Sequence, residues 1–174
     1  MSNNDYDWLG HGIYFWENNP SRALEYARMI KNHPERVRAP ISKPAVVGAV
    51  IDLGKCLNLL EGESIEIVRQ GYVSLIEIQS AAGIELPENS HYEGGTPVIR
   101  KLDCAVIEVI HEYREARKEP PFDSVRAMFT EGPELYPNSG FMEKNHIQIC
   151  VRNPNCIKGY FLPQKQVTGY PVPQ

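Results

Sequence analysis

Gly10-His11-Gly12-Ile13-Tyr14-Phe15-Trp16-Glu17-Asn18-Asn19-Pro20-Ser21-Arg22-Ala23-Leu24-Glu25-Tyr26-Ala27 is the stretch on which a reading of this chain turns. Two glycines lead into a short aromatic run, 12–16, that predicts a strand. A turn follows. Pro20 then opens a helix over 20–31, since proline suits a first helical turn whose N–H groups have no intrahelical acceptor.

Residues 32–44 carry Pro34, Pro40 and Pro44 and predict a loop with at most a helical turn. Ala45 to Leu53 is nearly continuous, β-branched and closed by Gly54, which predicts a buried strand; 56–60 predicts a second extended piece. Ser64 reads as a helix N-cap, with Ile65, Val68, Tyr72, Leu75 and Ile76 recurring at helical spacing towards Gly83. Residues 84–100, rich in Pro, Asn and Gly, predict a loop. Asp103 reads as the cap of a helix with Ala105, Val106, Val109, Ile110 and Tyr113 on one face, ending before Pro120-Pro121. Residues 124–130, 146–152 and 157–162 predict strands, with an irregular segment from Glu131 to Gly140. Strands and helices mix without βαβ alternation, so the expected class is α+β.

With 174 residues the chain is expected to form one domain, 1–174, with a single core. The net charge of −4, with no long Lys/Arg run, argues against a general nucleic-acid binder, because such binding draws on phosphate neutralisation. No apolar run is long enough to span a bilayer, and Ser2-Asn3-Asn4-Asp5 lacks the pattern of a signal peptide. Cys56, Cys104, Cys150 and Cys156 form no C-x-x-C pair and, with five scattered histidines, no zinc pattern. Asp103, Glu108, Glu112 and Glu115, mixed with Arg114, Arg117 and Lys118, read as a solvated helix face. His33, His91 and His111 read as loop or helix-surface residues. A cytoplasmic protein with reduced thiols, no metal and no membrane contact is expected.

Residues 10–27 resemble the NAD-clasping segment of the diphtheria-toxin-like ADP-ribosyltransferases, the class that includes the poly(ADP-ribose) polymerases. That segment reads Gly-Lys-Gly-Ile/Leu-Tyr-Phe-Ala, a turn, then Ser-Lys-Ser-Ala-Asn-Tyr; here Gly-His-Gly-Ile-Tyr-Phe-Trp precedes Ser-Arg-Ala-Leu-Glu-Tyr, with one extra residue in the turn. A later run, Asn145-His146-Ile147-Gln148-Ile149-Cys150-Val151 followed by Tyr160-Phe161-Leu162, is similar to the family's Asn-Glu-Tyr-Ile-Val-Tyr-Asp and Tyr-Leu-Leu. The resemblance implies a split antiparallel β core with peripheral helices and an NAD cleft between two small sheets. It places Tyr14 at the central tyrosine and Tyr26 at the aromatic that covers the second nicotinamide face. Gly12 falls where backbone approaches the flat ligand. Ala23 falls where polymerase-like members hold the nicotinamide amide with a serine.

The same alignment puts Gln148 at the position of the glutamate that bonds the nicotinamide ribose and favours a cationic transition state. Glutamine hydrogen-bonds but carries no charge, so one ADP-ribose transfer rather than chain elongation is implied. Glu143, five residues upstream, takes the role if the register shifts. The family's His-bearing first strand is expected to be missing, since thirteen residues precede Tyr14 and His11 is their one histidine; His11 and His146 are the remaining candidates to contact NAD. Residues 131–140 correspond to an acceptor-recognition loop, with Tyr136 a platform for the target.

The function implied is mono-ADP-ribosyl transfer from NAD to a protein or nucleic acid by a toxin or phage-defence effector, with an antitoxin over the cleft as an expected partner. The alternatives are a degenerate fold that binds NAD, ADP-ribose or a partner without catalysis, and an NAD glycohydrolase that uses water as acceptor.

Overall fold

The computed structural model describes residues 1–34, 39–93, 96–164 and 169, with backbone alone at 92, 93 and 96. Alternation along four short strands sets the architecture. β1 (Ile13–Trp16), β3 (Cys56–Asn58), β6 (Ser124–Phe129) and β7 (His146–Val151) form one sheet in the order β1-β7-β6-β3. β1 and β6 flank β7 antiparallel, while β3 joins β6 parallel, so the expectation of an antiparallel core holds for all but that edge pair. Tyr14, Cys150, Val125 and Leu57 stand side by side across the sheet.

That face packs against α3 (Lys101–Ala116), which is backed by α2 (Gly62–Ala82). The opposite face, with Ile149 and Val151, packs against residues of β2 (Gly48–Ile51) and β8 (Ile157–Phe161), an antiparallel two-stranded sheet. α1 (Pro20–Asn32) follows β1 as expected, capped by the Asn19 side chain, which accepts from the Arg22 N–H. The class is α+β.

Several expectations change. Of the loop expected over 84–100, residues 89–93 (β4) and 96–100 (β5) instead pair as an antiparallel hairpin. Residues 35–38 of the expected 32–44 loop, and 94–95, lie outside the described residues. Ser64 is not a cap but a buried residue inside α2, which starts at Gly62. The core line of α2 runs through Ser64, Val68, Gly71 and Leu75, leaving Ile65, Tyr72 and Ile76 exposed. Gly71 explains the rotation. An added Cβ would fall 2.8 Å from Ile110 Cδ1, so the helices meet over a residue without a side chain. Asp103 lies in the first turn of α3, whose Leu102 and Asp103 N–H groups donate instead to Asn89 Oδ1 from β4. His111, read as a surface residue, is buried.

Candidate functional site

The residues expected to bind NAD fall into two groups at different ends of β7. His11, Gly12 and Tyr14 lie together in the first group. The Tyr14 hydroxyl donates to the Gly10 carbonyl at 2.8 Å and accepts the Leu9 N–H at 3.0 Å, closing the turn before β1. Burial, with Cys150 beside it, pushes this phenol far above its ordinary range, so it stays neutral. Gly12 is not open to a ligand. Its N–H and C=O pair with Ser2 at 3.1 and 2.7 Å, and an added Cβ would sit against Cys150 Sγ and 2.7 Å from the Val151 oxygen.

His11 donates its backbone N–H to Glu108 at 2.8 Å, and its ring lies 3.4 Å from the same carboxylate. Glu108 is bound by both terminal nitrogens of Arg152, so it belongs to a half-buried ion pair rather than the solvated face read from its spacing. Burial opposes its ionisation, yet the Arg152 guanidinium and the His11 N–H outweigh burial and hold its pKa below the usual range. His111 stands on the next turn of α3, in contact with the Phe122 ring, where burial pushes its pKa down to about 4. A hollow of about 710 Å³ opens there between His111, Phe122, Arg152 and Asn153.

The second group surrounds the other end of β7. Trp16 and Gln148 face each other across β1 and β7, and the Trp16 ring packs 4.9 Å from Tyr26 and 6.3 Å from His146. Gln148 Oε1 accepts the Trp8 indole N–H at 2.8 Å. Its amide nitrogen donates to His146 Nε2 at 3.0 Å, and His146 Nδ1–H donates to the Lys144 carbonyl at 2.7 Å. Burial lowers the His146 pKa, in keeping with a neutral ring that accepts on Nε2. Phe129 packs 5.2 Å from His146 and edge-on to Trp8, and the Arg100 guanidinium lies 4.8 and 4.7 Å from the Trp8 and Phe129 rings.

Beside this aromatic group a crevice of about 320 Å³ opens between α1 and the connection from β6 to β7, lined by Arg22, Tyr26, Arg28, Glu131 and Lys144 among others. Arg22 reaches Glu131 at 2.7 Å and Glu25 on its own helix, tying α1 to that connection. The connection is folded rather than loose: Glu134 bridges Met142, and the Leu135 N–H donates to the Phe141 carbonyl. Tyr136 and Glu143 are exposed on it. Ala23 sits on α1, its N–H donating to the Asn19 carbonyl, with only a methyl to offer.

Tyr26 and Gln148 are therefore brought together through Trp16 and His146, while Tyr14, Gly12 and His11 serve the N-terminal turn. The sequence reading missed Trp8, Trp16 and Arg22. Strand parity carried a signal for Trp16, which shares a face with Tyr14; nothing local marked Trp8. Among the described residues no three His, Cys, Asp or Glu side chains group to hold a metal, and no helix is long and apolar enough to cross a membrane. Compared with protein-family models, curated proteins and solved structures, the chain matches none.

Proposed function

We propose that the chain is a small ADP-ribosyltransferase-like domain that cleaves NAD and moves one ADP-ribose to a protein or nucleic acid. The observation that supports it is the approach of Tyr26 to Gln148 through Trp16 and His146, beside a crevice lined by Arg22, Arg28 and Lys144. Aromatic rings suit a flat nicotinamide, and the cations suit a diphosphate. Gln148 positions ribose by hydrogen bonding, and negative charge comes from Glu131 and Glu25 on the crevice wall. The split β core, a role as a cytoplasmic toxin or defence effector, and an antitoxin that covers the crevice belong to the same proposal.

One observation favours a second reading, a non-catalytic module for NAD, ADP-ribose or a partner: both polar atoms of Gln148 are already bonded within the protein.

The test is incubation with adenylate-labelled NAD and a cell lysate, followed by protease or nuclease. Label removed by one treatment names the acceptor class; nicotinamide release without label selects the NAD glycohydrolase. A folded protein that releases no nicotinamide supports the non-catalytic module.

A further inference from the structure

α2 buries one side through Ser64, Val68, Gly71 and Leu75, and carries a second apolar line that stands in solvent. Ile65 is 45% exposed, Tyr72 40% and Ile76 37%, with Val73 beside them at 43%. Single apolar residues scattered on a surface are ordinary, but these recur. Together with Arg69, which is also exposed, positions 65, 69, 72 and 76 follow the alternating four- and three-residue steps of a heptad seam. Such steps keep all four on one line along the helix, where a second helix can pack.

The line is complementary to itself when reversed. Two copies of α2 packed antiparallel, about a dyad level with Gln70 and Gly71, set Ile65 of each copy against Ile76 of the other. The same dyad sets Arg69 of each against Tyr72 of the other, as an isologous contact requires. Apolar ends then meet apolar ends, and each guanidinium lies on a tyrosine ring. Parallel packing would instead oppose Arg69 to its own copy. Glu66, 3.2 Å from Arg69 Nε, keeps that cation compensated at the edge of the seam. Charge also selects against a lipid surface. Helices that lie on membranes are rich in Lys and Arg, whereas α2 has Glu63, Glu66 and Glu77 against one arginine. We propose that α2 is a self-association surface, on which two copies of this chain form an antiparallel dimer through Ile65, Arg69, Tyr72 and Ile76. None of the residues proposed to handle NAD lies on α2, so the inference stands apart from that reading. Four layers on a helix roughly 31 Å long make a contact at the small end of specific interfaces. The dimer is therefore reversible, with a dissociation constant on the order of 10 μM.

The experiment is sedimentation equilibrium of the intact chain from about 2 to about 200 μM. The mass is expected to climb from one copy of 19.7 kDa towards two. Tyr72→Arg opposes arginine to arginine at both inner crossings and is expected to weaken association about a hundredfold. Adding Arg69→Tyr to that variant restores both ring–cation pairs and is expected to recover the parental dissociation constant within about threefold. Circular dichroism checks that these variants, altered only at exposed positions, are folded. A parent that stays monomeric throughout overturns the proposal without need of a variant, and leaves the line to a different protein. A dimer that Tyr72→Arg leaves intact overturns it too, since the contact then lies elsewhere. A double variant as weak as the single one overturns the antiparallel pairing.

Discussion

His146 and Gln148 share a face of β7, and the glutamine amide donates to His146 Nε2 at 3.0 Å while the Lys144 carbonyl holds His146 Nδ1–H at 2.7 Å. This arrangement suits a neutral imidazole. A proton on Nε2 would meet the Gln148 NH2, and turning the amide over would set that NH2 against the Trp8 N–H.

Folding therefore opposes protonation of His146, and of His111, which burial lowers from 6.5 to about 4. Groups held below their unfolded pKa contribute stability that is complete above about pH 6.5 and is lost as pH falls, because the unfolded chain then binds more protons. His111 alone is expected to cost about 2 kcal/mol between pH 7 and pH 5. The lowered carboxylates Glu17, Glu108 and Asp123 act below that window, from their unfolded values downwards. Urea unfolding at the two pH values measures the loss; a flat profile contradicts the placement of both histidines.

Gln148→Glu gives the site a carboxylate that still accepts the Trp8 N–H. Nicotinamide release from NAD is expected to rise about tenfold, since a negative charge then faces the developing cation. Single-turnover release at fixed NAD checks it. Unchanged or slower release by a folded variant argues against Gln148 standing at the reacting ribose.

Tyr14→Phe removes the hydroxyl that joins Leu9 and Gly10. The stability loss is expected at about 1–3 kcal/mol, the cost of leaving the Leu9 N–H and Gly10 oxygen unpaired. Nicotinamide release per folded molecule should stay within about twofold. Denaturant titration beside a release assay separates the two effects, and a stable but inactive variant would return Tyr14 to the ligand.

Glu108→Ala leaves Arg152 half-buried without its carboxylate and frees the His11 N–H. A loss of about 3 kcal/mol is expected from an uncompensated charge of this kind. Gly12→Ala is expected to cost about 2 kcal/mol by overpacking against Cys150 and the Val151 carbonyl. Thermal melts of both variants decide the point; melts like the parent would mean that this corner is loosely packed.

Much of the fold was legible because period is local. β1, β6, β7, β8 and the three helices announce themselves by apolar spacing and by turn residues. What stayed hidden depends on partners distant in sequence. Gly71 sets the face of α2 by admitting Ile110, and a glycine adds nothing to an apolar stripe. Asn89 caps α3 from another strand, so the Asp103 signal was real but misassigned. The β4–β5 hairpin hides in a stretch whose Asn and Pro speak for loop, with Gly94-Gly95 as a hairpin signal in the sequence. The site was half legible for the same reason. Resemblance singles out Tyr26 and Gln148 as candidates, but the Trp8 bond that holds Gln148 joins residues with no pattern between them.

The central claim is that Tyr26, seated against Trp16 at 4.9 Å, faces the nicotinamide of NAD. Release of nicotinamide by the intact chain, beside Tyr26→Ala shown to be folded, tests it most directly. The account predicts measurable release that falls about tenfold in the variant, the loss of one aromatic contact in the transition state. Release at the same rate from both proteins, or none from the folded parent, contradicts it.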